Sequence, residues 1–113
     1  MMQNVKPIIV KDDETGLEYT LEFNRESVKF AEARGFKIND VADYPMTKIP
    51  ELWFYAFRMH HKNVARAKTD ALLDGLGGIP DGLLERLGEL YAAPFSALTD
   101  GQTEENPRVT VTL

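Results

Sequence analysis

The side chains able to do chemistry are few, and their spacing argues against most of it. His60 and His61 are the two histidines of the chain. Adjacent residues on a helix point about 100° apart, so the pair is poorly placed to chelate one ion, and no His-Glu-x-x-His spacing accompanies it. The glycines Gly75, Gly77, Gly78 and Gly82 resemble a phosphate-cradling loop only superficially. No strand precedes them and no Gly-Lys-Ser/Thr follows. Asp12, Asp13 and Glu14 cluster in a turn sequence, and Glu85 and Glu89 sit four apart on a helix face, where Arg86 relieves their repulsion. Carboxylates split their pKa values for acid–base work only when burial separates them, and nothing in the pattern implies burial. Ser27 and Ser96 lack the context of an activated nucleophile. With no cysteine in the chain, thiolate chemistry, disulfides and cysteine metal sites are excluded. The expectation is a protein without catalytic, cofactor-binding or metal-binding residues.

What stands out instead is apolar crowding. Leu52, Trp53, Phe54, Tyr55, Ala56 and Phe57 run around the whole circumference of a helix, with Tyr44 and Met59 nearby. Such a helix is either central in a core or covered by a partner. Exposed apolar surface commonly marks protein contacts, so a core role and an interface role both stay open for these side chains.

The elements that must position this run follow from period and punctuation. Val5 and Ile8 to Val10, the turn Asp12 to Gly16, and the alternation of Leu17, Tyr19, Leu21 and Phe23 with Glu18, Thr20 and Glu22 predict a β-hairpin. Its apolar face is Leu17, Tyr19, Leu21 and Phe23, and Pro7 makes the first strand an edge or delays its start. Asn24 is an N-cap and Gly35 a C′ residue, which predicts a helix over 25–34 with Val28, Ala31 and Phe30 inward. One short turn begins at Asn39 or Asp40 and ends at Pro45. Thr47 can cap the aromatic helix, with Pro50 in its first turn and its end near His61. Asn63 can cap a helix over 64–76, closed by Gly77 and Gly78. Pro80 opens a last helix, striped by Leu83, Leu84, Leu87, Leu90 and Tyr91, which Pro94 should kink or break. Residues 99–108 read as a flexible acidic linker. Val109 to Leu113 has strand propensity and can add a third strand or pair with a partner.

The expectation is therefore an α+β fold, mostly α: an N-terminal β-hairpin (1–23) packed on a four- to five-helix array (24–98), one globular domain over 1–98 with a tail over 99–113. The chain has 113 residues, enough for one modest core, with 43% hydrophobic and 27% charged residues. Its net charge of −5 argues against nucleic acid, which demands clustered Lys and Arg. No segment is apolar enough to span a bilayer, and the N-terminus lacks a signal peptide's features.

The stretch YTLEFNRESVKFAEARGFKINDVADYPMTKIPELWFYAFRMHHKNV resembles the small tail assembly chaperones of long-tailed (siphovirus-type) bacteriophages and prophages of Gram-positive bacteria. The combination carrying it is Tyr19 to Phe23 running into Asn24-Arg25, Ser27-Val28 and Phe30; Gly35-Phe36; Pro45, Met46, Thr47 and Pro50; and the aromatic helix ending in Met59-His60-His61. Leu83 to Leu98, with Leu90-Tyr91 and Pro94, resembles the family's last helix. The glycine-rich connection Asp74 to Gly82 departs from it. The resemblance implies a chaperone in the host cytoplasm that binds and solubilises the long helical tape-measure protein, helps the tail-tube protein polymerise around it, and forms a homo-oligomer. It also implies absence from the finished virion and, in many relatives, a longer frameshifted product. Trp53, Tyr55, Phe57, Met59, Leu87 and Tyr91 are the candidate protein-binding residues on grounds of apolar crowding, and Val109, Val111 and Leu113 the candidates for self-association. Two other readings are a structural tail-completion protein of the virion and a regulatory protein-binding module such as an antitoxin.

Overall fold

The computed structural model describes residues 5–99, 109, 112 and 113. Strands β1 (Ile8–Lys11) and β2 (Glu18–Leu21) pair antiparallel, with Ile8 opposite Leu21 and Val10 opposite Tyr19. Five helices follow: α1 (Arg25–Ala33), α2 (Asp40–Asp43), α3 (Pro45–Phe57), α4 (Arg66–Gly75) and α5 (Leu83–Thr99). This is the expected α+β architecture, a hairpin on a helical array. A two-stranded hairpin is marginal alone in water. Here Val10 and Leu21 are buried against the helices, while Leu17, expected on the same face, sits in the turn and is exposed.

Local chemistry explains most boundaries. The turn between the strands is closed by the Asp12 N–H donating to Leu17 O at 2.8 Å and by Gly16, at φ 77°, donating to Asp12 O at 2.7 Å. Helix α1 starts in a reciprocal cap: the Ser27 N–H donates to Asn24 Oδ1 at 2.8 Å, and the Asn24 N–H donates to Ser27 Oγ at 2.9 Å. It ends at Gly35, whose φ of 86° lets Gly35 N–H reach Glu32 O and Phe36 N–H reach Ala31 O. That turn drops the Phe36 ring into the core. Replacing Asn24 by Ala removes one half of the cap and should cost about 1 kcal/mol, read as a lower urea midpoint with unchanged slope.

Several boundaries differ from expectation, among them the end of α3, which comes at Phe57 and not near His61. Helix α3 begins at Pro45, not Thr47, because proline is well placed at the first helical position. Pro50 is thus interior. Helix α4 begins at Arg66 with Ala65 as an uncapped N-cap, so Asn63 caps nothing. Helix α5 begins at Leu83 and runs through Pro94 to Thr99 as one helix. The apolar side chains of Leu87, Leu90 and Tyr91 anchor the turns before Pro94 in the core, and this offsets the lost N–H.

Helix α3 is the hub, packing on β2, α1, α2, α4 and α5. Trp53 and Phe57 are wholly buried, and the Trp53 indole N–H donates to Thr69 O of α4 at 2.8 Å. Aromatic rings meet edge-on around them: Trp53–Phe57 at 5.4 Å, Tyr19–Phe57 at 5.5 Å, Phe36–Tyr55 at 5.4 Å and Phe23–Tyr91 at 5.0 Å between centroids. Edge-to-face pairs add stabilisation beyond the area they bury. Burial raises the Tyr55 and Tyr91 phenols above the usual tyrosine range.

Candidate protein-binding surfaces

The predicted contact residues divide sharply. Trp53, Tyr55, Phe57, Leu87 and Tyr91 are core residues, and Met59 is half-buried at the end of the α3 region. Assigning the first five to partner contact is thereby corrected: their side chains are consumed by packing among α1, α3 and α5 and the strands, and none offers surface. Over Leu52 to Phe57 only Phe54 is half-buried; the other five side chains are buried. Val109 and Leu113 are exposed and belong to no strand, whereas Val111 lies outside the described residues.

The groups with chemical potential are engaged structurally. The His61 ring accepts a hydrogen bond at Nε2 from the Thr20 N–H at 2.9 Å, which ties β2 to the end of α3. His60 Nε2 lies 2.8 Å from Glu22 Oε1, one residue past the strand. The two rings stand 6.3 Å apart and share no focus. Ser27 Oγ is occupied by the α1 cap. Arg86, expected to relieve Glu85 and Glu89, instead donates to the carbonyls of Lys6 and Pro7, pinning the chain that enters β1. Asp12 accepts from Lys68 Nζ at 2.7 Å, and this bond holds its carboxyl below the usual carboxylate range. Among the described residues no cluster of His, Cys, Asp and Glu could hold a metal ion, and no helix is long and apolar enough to cross a membrane.

His61 makes a pH-dependent clamp. Burial, and then the neighbouring His60, lower its pKa below the ordinary 6.5. The unfolded chain therefore takes up the proton first, and stability falls as pH drops from about 6.5 towards the lower folded value. Urea midpoints at pH 7.5 and 5.5 should show this loss. In His61→Leu the dependence over that window should shrink, and the Thr20 N–H left without its acceptor should cost about 1–3 kcal/mol at pH 7.5.

Apolar surface lies elsewhere than in the aromatic run. One groove follows the second half of α5, lined by Val5, Phe23, Leu90, Ala93, Pro94 and Leu98, with a volume of about 490 Å³. Leu98 in its lining is 57% exposed, and Phe95 on the same helix is 67% exposed. Glu22, Asn24 and Arg25 form its polar wall. A second cleft of about 380 Å³ runs along β1, between Ile8 and Ile9 on one side and Leu76, Pro80 and Leu83 on the other, with the Trp53 ring beneath. Tyr44 and Met46 are exposed where α2 meets α3. The sequence did carry a signal for the first groove. Phe95 and Leu98 continue an apolar pattern past Pro94, after the core-facing stripe has already been satisfied by Leu83 to Tyr91.

Such surfaces suit protein partners better than small polar substrates: they are open, apolar and rimmed by single charges. No curated protein and no solved structure matches the chain. A family model does match, over residues 1–113, and the chain accordingly belongs to DUF5055, a domain of unknown function.

Proposed function

We propose that this protein is a phage tail assembly chaperone that holds the tape-measure protein soluble while the tail tube assembles. The observation that carries this reading is the apolar groove of α5, in which Leu98 stands exposed, with Phe95 exposed on the same helix. A long amphipathic helix aggregates through its apolar stripe unless something covers that stripe. A groove lined by apolar side chains seats such a helix by burying residues at i, i+3, i+4 and i+7. The net charge of −5 keeps the loaded complex soluble. The similarity of Tyr19 to Val64 to tail assembly chaperones supplies the identity of the client, and the groove supplies a means of binding it.

Co-expression with the tape-measure protein tests the proposal. The expected result is a soluble complex containing several copies of this chain per client, recovered by affinity capture on the client and sized by light scattering. Insoluble client with this chain eluting alone would overturn it.

A further inference from the structure

The ladder between β1 and β2 leaves one set of β1 backbone groups without partners among the described residues. On β2, the N–H of Thr20 points away from β1 to His61, and the N–H of Glu22 points away to Ala56 O at 3.0 Å. Residues of an antiparallel pair alternate between facing the partner strand and facing away. Tyr19 and Leu21 therefore bond to β1, through Val10 and Ile8 opposite them. The N–H and C=O of Ile9 and Lys11 then project from the far edge of β1, where neither meets a partner among the described residues.

That edge borders an apolar cleft. Beneath it lie Leu76, Pro80, Leu83 and the Trp53 ring, and Ile9 itself is 57% exposed. A strand laid along β1 would satisfy the Ile9 and Lys11 groups and turn alternate side chains down onto this floor. The chain contains one segment outside the folded elements with the matching pattern: Val109, Val111 and Leu113 alternate with Thr110 and Thr112. Its apolar set fits the floor and its threonines fit the solvent face. The linker leading to it carries Asp100, Glu104 and Glu105 against Arg108, while Lys11 and Arg86 outnumber Asp81 along the cleft, so the charges are complementary. Val109 is 80% exposed.

We infer that the free edge of β1 is a docking site for residues 109–113 of a second copy of this chain, added as a third strand. Reciprocal exchange closes a dimer. Head-to-tail exchange builds larger assemblies. The inference concerns the chain alone and is measured without a client, so its failure and that of the chaperone reading are separable.

The test is sedimentation velocity of the full chain over a range of concentrations, paired with hydrogen exchange. The expected result is concentration-dependent association, weakened at least tenfold by Val111→Asp and by Ile9→Pro. Proline at residue 9 removes an N–H that the β1–β2 ladder does not use. Protection of the Ile9 and Lys11 amides should rise with association. Should Ile9→Pro fail to fold, Val111→Asp decides, since it alters no residue of the hairpin or helices. Two results would overturn the inference. One is a monomer at every concentration, including a monomer whose Ile9 and Lys11 amides are protected by its own tail. The other is an oligomer unchanged by both Val111→Asp and deletion of 109–113.

Discussion

Trp53→Ala should destabilise the domain by about 3–5 kcal/mol, the usual cost of removing a buried large aromatic side chain. The ring is wholly enclosed, stacks edge-on with Phe57 at 5.4 Å and holds α4 to α3 through its bond to Thr69 O. Truncation therefore opens a cavity at the hub and removes a buried hydrogen bond between α3 and α4 in the same step. Domains of this size are stable by only about 5–15 kcal/mol, so the variant should lose about a fifth or more of its stability and melt at least about 10 °C lower. Trp53→Phe separates the two contributions: it refills much of the volume but loses the bond to Thr69 O, a carbonyl that lies within helix α4, and should cost about 1 kcal/mol for that bond. Circular dichroism melts of both variants check the order. A Trp53→Ala protein that melts like the wild type and has lost only partner binding would return this residue to an interface.

That outcome matters because α3 is where reading the sequence and seeing the fold diverge. Alternation in Leu17 to Phe23, the Asn24 cap and Gly35 are local signals, and each marks an element that forms nearly where expected. Local rules suffice there because the decisive partners lie within a few residues. The fate of an all-round apolar helix depends on how many neighbours reach it. Residues as distant as Tyr19, Phe36 and Thr69 close over the rings that α3 carries, and no spacing within α3 announces them. Proline was misleading for the same reason. Pro94 breaks a helix in isolation, yet tertiary anchoring of Leu87, Leu90 and Tyr91 carries α5 past it. The clamp between His61 and Thr20, 41 residues apart, was equally beyond pattern reading. The absence of cysteine, by contrast, is read directly from composition.

Once the aromatic run is assigned to the core, the weight of client binding moves to side chains that packing leaves over. Phe95→Asp and Leu98→Asp should each weaken capture of a helical tape-measure segment by about 30-fold or more, equivalent to about 2 kcal/mol at a central anchor. Both side chains are more than half exposed, so the same substitutions should change folding stability by no more than about 0.5 kcal/mol. This pairing of a large binding effect with a small stability effect is what a surface anchor predicts and a core residue does not. The charge chosen matters too: aspartate adds to a net charge of −5 and deters an apolar stripe without creating a new sticky patch. Titrating a synthetic client helix into each variant, with melts run in parallel, reads both quantities. The exposed Met46, at 90%, provides the internal comparison. If Met46→Asp abolishes capture and Phe95→Asp leaves it intact, the client lies against the α2–α3 corner and the α5 groove has another occupant. If neither variant matters, the apolar surface of this fold is not how it holds a client, because charge placed on its two most exposed helical faces would then be tolerated at no cost in binding.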